Sequence, residues 1–255
     1  MKIELLSLQG FLCCLAFFAA GIVDSITGGG GLITIPVMLS TGIPVHFITG
    51  TNQCASWFGT VVSAFKYARS KRIHYKSALM TLPFAIMGSF IGARLNLMVP
   101  EKYLKTFMLI SVPLIAIFVF VNKDLGDEDH VEEKSTRQVL LWSSLIGLFI
   151  GAYQGFYGPG AGTFFMLAYA ASLKLSLVRS TGNTRFVVAI ASITSVLTYA
   201  ASGALIWNLA FAAALFSIVG SYLGSCLAIK NGAKIIRPLL FAVVALLIIK
   251  VLVDI

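Results

Sequence analysis

Long apolar runs alternate with short polar interruptions along the chain, five runs in each half. In the first half they cover about 5–26, 32–47, 53–69, 78–98 and 104–122. In the second they cover about 139–156, 162–175, 186–203, 208–229 and 235–253. A helix of about 20 apolar residues crosses a bilayer, and most of these runs approach that length. The second run of each half is short, so it is expected to be tilted or re-entrant. The pattern predicts an all-α polytopic membrane protein of eight to ten membrane segments. The one clearly aqueous interruption, 122–138, is dense in charge (Lys123, Asp124, Asp127, Glu128, Asp129, Glu132, Glu133, Lys134, Arg137). Such composition suits a flexible linker. It predicts an N-terminal membrane repeat at 1–121, a charged cytoplasmic linker at 122–138 and a C-terminal membrane repeat at 139–255.

Two glycine-rich breaks interrupt the apolar pattern at corresponding places. The first reads Gly21-Ile22-Val23-Asp24-Ser25-Ile26-Thr27-Gly28-Gly29-Gly30-Gly31. The second reads Gly151-Ala152-Tyr153-Gln154-Gly155-Phe156-Tyr157-Gly158-Pro159-Gly160-Ala161-Gly162. Other anchors recur in the same order. Thr49-Gly50-Thr51-Asn52-Gln53 matches Ser180-Thr181-Gly182-Asn183-Thr184, and Gly88-Ser89-Phe90-Ile91-Gly92 matches Gly220-Ser221-Tyr222-Leu223-Gly224. Interrupted helices at matching places in two halves mark the binding site of secondary transporters.

Loop charge sets the relative orientation of the halves. Lys66, Arg69, Lys71, Arg72 and Lys76 crowd the loop after the third run, whereas its counterpart 202–206 is uncharged. The preceding loop reverses this, with only His46 in the first half and Lys174, Arg179 and Arg185 in the second. Basic loops face the cytoplasm, so the halves are expected to be inverted repeats, as an odd number of spans per half produces. Arg94, Lys102 and Lys105 fall on the side this scheme makes external.

Composition narrows the class. The chain is 58% hydrophobic and 11% charged with a mean hydropathy of +0.92, against roughly 25% charged residues in soluble domains. Lipid is therefore the expected solvent. The net charge of +9 is spread over short loops, which points to membrane topology and away from nucleic acid. Cys13, Cys14, Cys54 and Cys226 show no metal or disulfide spacing, and His46, His74 and His130 are isolated, expected on the solvent side. No nucleophile–base set or phosphate loop occurs, so neither an enzyme, a metal nor a cofactor is expected. The N-terminal Lys2 and following apolar run resemble a signal peptide. Because the first break follows at once, the segment is expected to be retained.

The candidate site lies at the breaks. Asp24 is an acid inside an apolar segment, which by default is functional; it is expected to couple transport to a proton, or else to cap the helix opened by the glycines. Helices restarting after Gly31 and Gly162 would present N–H groups and positive dipole ends to an anion. Ser25, Thr27, Gly28, Gly29, Gly30 and Gly31 of the first break are expected to face Gln154, Tyr157, Gly158, Gly160 and Gly162 of the second. Asn52 and Asn183, each placed at the start of a third segment, serve either as helix caps or as ligand donors. Arg185 offers a guanidinium to an oxyanion, or anchors a cytoplasmic loop.

On these residues the sequence resembles the sulfite exporter TauE/SafE (TSUP) family. The stretch Ile26-Thr27-Gly28-Gly29-Gly30-Gly31-Leu32-Ile33-Thr34-Ile35-Pro36, Gly50-Thr51-Asn52, the Gly88/Gly92 pair and their second-half counterparts carry the likeness. The resemblance implies an inner-membrane, multi-pass carrier of small sulfur-containing anions such as sulfite or organosulfonates, driven by an electrochemical gradient. It extends the partners to lipid bilayer and small anionic substrate, and admits a homodimer. The family's acid at the second break is replaced by Gln154, which loads the coupling role onto Asp24. A passive channel for small anions or neutral solutes is the alternative.

Overall fold

The computed structural model describes residues 8–100, 102–103, 129, 134–236, 238–239 and 242. Most of the fifth run of each half, and most of the linker including His130, lie outside the described residues. Eight helices organise the rest: α1 (Leu8–Thr27), α2 (Gly31–Leu39), α3 (Val45–Arg69), α4 (Tyr75–Met98), α5 (Thr136–Phe156), α6 (Ala161–Leu173), α7 (Leu177–Ala201) and α8 (Trp207–Asn231). Within α5, Ile146–Ile150 forms a single π-helical turn. Ser135 opens α5 with a capping box: its hydroxyl accepts from Gln138 N, and the Gln138 side chain returns to Ser135 N.

Among the described residues, α1, α4, α5, α7 and α8 are long and apolar enough to cross a membrane. Helix α3 is as long as any, at 25 residues, but buries Thr49, Thr51, Asn52, Gln53, Thr60 and Ser63. Polar residues turned inward lower its hydropathy without exposing it to lipid. The chain's outer surface is apolar, with Phe65, Phe149, Leu197 and Leu215 exposed. These helices make it a multi-pass membrane protein.

The helix bounds correct the expected segments. Helix α3 begins at Val45, not 53, and α7 at Leu177, not 186. The polar residues taken for loop bond within the bundle: Thr49 Oγ1 donates to Val45 O and Thr184 Oγ1 to Ser180 O. Asn52 and Asn183 are thus interior helix residues and cap neither helix. The short second runs are α2, of 9 residues, and α6, of 13. His46 and His74 are partly buried; His46 faces Asn96 Oδ1 at 3.3 Å, and His74 Nδ1 accepts from Ser77 N at the start of α4.

Packing crosses the middle of the sequence. Helix α1 lies along α8 and α4 along α5, while α3 packs on α8 and α4 on α7. Glycines allow the closest approaches. A methyl group at Gly220 or Gly224 of α8 would strike the Phe18 or Ile22 carbonyl of α1. One at Gly92 of α4 or Gly155 of α5 would strike the Ala152 or Ser89 carbonyl across that pair. Helices α3 and α7 run antiparallel. The start of α3 meets the end of α7 where Ile206 N donates to Thr51 Oγ1 (3.0 Å), and its end meets the start of α7 where His74 N donates to Asn183 Oδ1 (2.7 Å). Three buried clusters result among the described residues: one surrounds α6 (Phe165, Met166, Tyr169, Leu173), a second surrounds α2 (Ile35, Met38) with Phe17 and Ile48, and a smaller third joins Cys54, Ala93, Tyr199 and Ala210.

The close packing predicts that Gly92→Val destabilises the protein by about 3 kcal/mol, the upper end of the usual cost of an overpacked core. A lowered unfolding midpoint in detergent is the expected result, against little change for Gly42→Asn, where nothing lies within 4 Å and asparagine tolerates the left-handed φ of +76°.

Candidate functional site

Both glycine-rich stretches break their helices, and the breaks meet. Helix α1 stops at Thr27 and α5 at Phe156; Gly28 and Gly158 adopt φ of +86° and +93°, which only glycine takes without strain. A side chain at Gly28 would overlap the backbone of Gly162 and Thr163, and one at Gly31 would sit 2.9 Å from Pro159 Cα. The Thr163 hydroxyl donates to Thr27 O at 2.8 Å, joining the first break to the second.

Helices that stop inside a protein expose their last carbonyls, and here side chains from other helices take them. At the end of α1, Tyr67 donates to Ser25 O (3.0 Å), Thr181 to Ile26 O (3.4 Å) and Thr163 to Thr27 O. At the end of α5, Gln53 donates to Gln154 O (2.5 Å), Tyr199 to Gly155 O (3.0 Å) and Asn96 to Phe156 O (2.6 Å).

Beside the crossing lies a polar cavity of about 50 Å³, lined from α1 by Asp24, from α3 by Asn52, Gln53, Ser56, Trp57 and Thr60, from α5 by Gln154, and from α7 by Arg185, Val188 and Ser192. Gly28, Gly31, Gly158, Ala161 and Gly162 complete it, so the first residues of both α2 and α6 reach it. A water needs about 10–15 Å³ on this measure, so the space suits a few waters or one small ion. Its level is the middle of the long helices. Trp57, thirteenth of the 25 residues of α3, donates to the carbonyl of Ala189, thirteenth of the 25 in α7 (2.8 Å).

Arg185 and Asp24 form the charged centre. Arg185 Nη1 donates to Asp24 Oδ2 at 2.6 Å, and Gly30 N donates to Asp24 Oδ1 at 3.2 Å. The arginine is 2% exposed, its partner 22%, so Arg185 is buried and does not anchor a loop at the surface. Nε and Nη2 of Arg185 are buried with no hydrogen-bond acceptor among the described residues, an expensive condition for a charged donor. Gly162 leaves room for this guanidinium, since a side chain there would meet Nη2 at 2.6 Å. Asn52 Oδ1 accepts from Thr34 Oγ1 at 2.5 Å. Gln154 Nε2 donates to Ser192 Oγ at 2.7 Å, and Gln154 Oε1 is buried without a donor.

The remaining expected site residues lie around this cavity and do not line it. Ser25 and Thr27 are buried, their hydroxyls turned to Ile22 O and Val23 O and their carbonyls used in the cap of α1. Gly29 and Gly30 form the turn between α1 and α2, Gly30 through its N–H to Asp24. Gly160 supplies a left-handed turn before α6 (φ +77°). Tyr157 packs into the apolar cluster around α2. Asn183 joins the loop before α4 to α7, accepting from His74 N and donating to Ser77 Oγ. Sequence reasoning missed Ser56, Trp57, Thr60, Val188 and Ser192, which read as ordinary membrane-helix residues. It also missed Tyr67 and Tyr199. The matching pairs Tyr67-Ala68 and Tyr199-Ala200 keep the spacing of the repeats and could have signalled these two.

A bundle of membrane-crossing helices around a polar cavity is the frame of a membrane transporter. The chain belongs to the sulfite exporter TauE/SafE family, whose model matches residues 13–251. It is 34% identical over 239 residues to a probable membrane transporter protein, ORF9, of Sinorhizobium sp., covering 94% of this chain and 90% of that one. It is 30% identical over 235 residues to the probable membrane transporter protein YfcA of Escherichia coli K12 (92% and 86% covered). A probable membrane transporter protein of Haemophilus influenzae is 29% identical over 234 residues (92% and 90% covered). No solved structure is a significant match.

Removing one partner of a buried ion pair leaves the other charge uncompensated. Asp24→Ala is therefore expected to lower stability by about 3 kcal/mol, the low end of that range because Asp24 is partly exposed. Pairing it with Arg185→Met should recover part of the loss, measured as a double-mutant cycle of unfolding midpoints in detergent.

Proposed function

We propose that the protein is a secondary transporter of small sulfur-containing anions in the cell inner membrane, with sulfite the best fit. The observation that carries this is the buried Arg185 guanidinium with Nε and Nη2 unpartnered beside the cavity. Two planar N–H donors match two oxygens of an oxyanion. Asn52, whose amide nitrogen makes no hydrogen bond among the described residues, and the starts of α2 and α6 add donors and dipole ends. A cavity of about 50 Å³ favours sulfite over larger organosulfonates.

The halves act as inverted repeats, 1–121 and 139–255, joined by the cytoplasmic linker 122–138. The antiparallel α3 and α7, the reciprocal pairing of α1 with α8 and α4 with α5, and the matched caps at Tyr67 and Tyr199 support this reading. The site then lies at the membrane midplane, and rocking of one repeat against the other opens it to each side in turn. Asp24 contributes by holding Nη1 of Arg185, which leaves Nε and Nη2 for the anion. Ser25, Thr27, Gly29, Gly30, Tyr157, Gly160 and Asn183 contribute by fixing the breaks. One chain supplies the whole cavity lining, so a homodimer is not required for binding.

Proteoliposomes and labelled sulfite test the proposal. Uptake is expected to saturate and to respond to an imposed gradient. Arg185→Lys, which keeps the charge but not the fork, should lower it by at least about tenfold. Flux that neither saturates nor responds to a gradient would replace the carrier with a channel.

A further inference from the structure

The cavity has an acceptor to match as well as donors. Gln154 Oε1 is buried and receives no hydrogen bond. Its orientation follows from its neighbours. The Ser192 hydroxyl donates to Val188 O at 2.6 Å, so toward Gln154 it can only accept, and it takes the amide N–H at 2.7 Å. Gln53 Oε1, an acceptor, lies on the same side of that amide at 3.5 Å, while Gln53 Nε2 is turned to Gln154 O. The Gln154 carbonyl oxygen is left without a donor among the described residues, on a side chain that lines the cavity.

A ligand that satisfies this site must therefore do two opposite things. It must offer oxygens to Arg185 and one O–H to Gln154. A fully deprotonated oxyanion has no hydrogen to give, and its approach would set two acceptors against each other. Building on the reading of a sulfur-oxyanion carrier, we infer that the species bound and carried is the protonated monoanion, hydrogensulfite, with Gln154 selecting for its proton. The proton then crosses on the substrate. Among the residues lining the cavity only Asp24 of α1 and Arg185 of α7 are charged, and they are paired; α2, α3, α5 and α6 contribute no titratable group. Asp24 is accordingly the single protein group in the lining that could imitate the effect.

The test uses purified protein in proteoliposomes with equal pH on both faces and a fixed total concentration of labelled sulfite. Uptake should follow the hydrogensulfite fraction, dropping as pH rises through the point where that ion becomes sulfite, and the lumen should acidify with entry. Methanesulfonate, a monoanion at every pH used and without an O–H, should compete more weakly than hydrogensulfite by on the order of tenfold, the scale of an unanswered buried acceptor. Gln154→Leu should bring the two competitors close together. Saturable uptake that is indifferent to pH, or methanesulfonate competing as well as hydrogensulfite in the unmodified protein, would overturn the inference and leave the carrier standing. A pH profile that flattens in Asp24→Asn would place the proton on Asp24 and overturn it too. Absence of saturable sulfite uptake at any pH would instead remove the carrier reading itself.

Discussion

Two helices end inside this protein, where lipid cannot solvate a bare carbonyl or N–H. That constraint organises the rest of the structure. The ends of α1 and α5 expose carbonyls that must find donors within the bundle, and each set draws on three side chains from other helices. Those donors sit on α3, α4, α6 and α7, so the stopped helices fix four others around them. The breaks can cross only because Gly28 and Gly162 bring backbone against backbone. The polar residues that make α3 less apolar than its neighbours answer the same need: Gln53 is both a cap for α5 and a wall of the cavity.

The caps account for a division of labour between expected site residues. Ser25 and Thr27 are expected site residues, yet their hydroxyls bond back along α1 while their carbonyls anchor Tyr67 and Thr163. Their work is to hold the break shut around its neighbours. Asp24, just before Ser25, is left on the cavity side with its carboxylate shared between Gly30 N and Arg185. Residues one to three apart at the end of one helix thus divide between structure and site according to where their polar atoms are bonded.

Much of the architecture was legible because it is written twice. The glycine breaks, the Gly88/Gly92 and Gly220/Gly224 pairs and the short second runs all repeat, and each has a steric or backbone reason to be there. Single letters were harder to place. Arg185 reads equally as an oxyanion ligand or a loop cation because polar Ser180, Thr181, Asn183 and Thr184 surround it, and only the three-dimensional pairing with a residue 161 positions away explains its burial. Trp57 and Ser192 carried no signal, since a tryptophan or serine in a membrane helix is ordinary until its partner is seen. Tyr67 and Tyr199 were readable in principle, being repeat equivalents, but a tyrosine near a helix end also suits a membrane interface. The helix starts were misplaced for a related reason: hydropathy reports contact with lipid, and α3 and α7 begin in segments that face protein.

On the proposed reading of an anion carrier, charge bears on which ion the cavity would accept. Asp24 and Arg185 are together neutral, so an arriving monoanion adds one negative charge to a site that already holds one carboxylate. A dianion would add two at the same separation and double the repulsion from Asp24, in surroundings where solvent screens charges less than in bulk water. The donors at Arg185, Asn52 and the starts of α2 and α6 can offset one such charge through hydrogen bonds and partial dipole ends, which amount to roughly half a unit at each helix. Electrostatics and the unanswered oxygen of Gln154 therefore favour the same ion by separate routes. The first disfavours the second charge; the second rewards the proton that removes it.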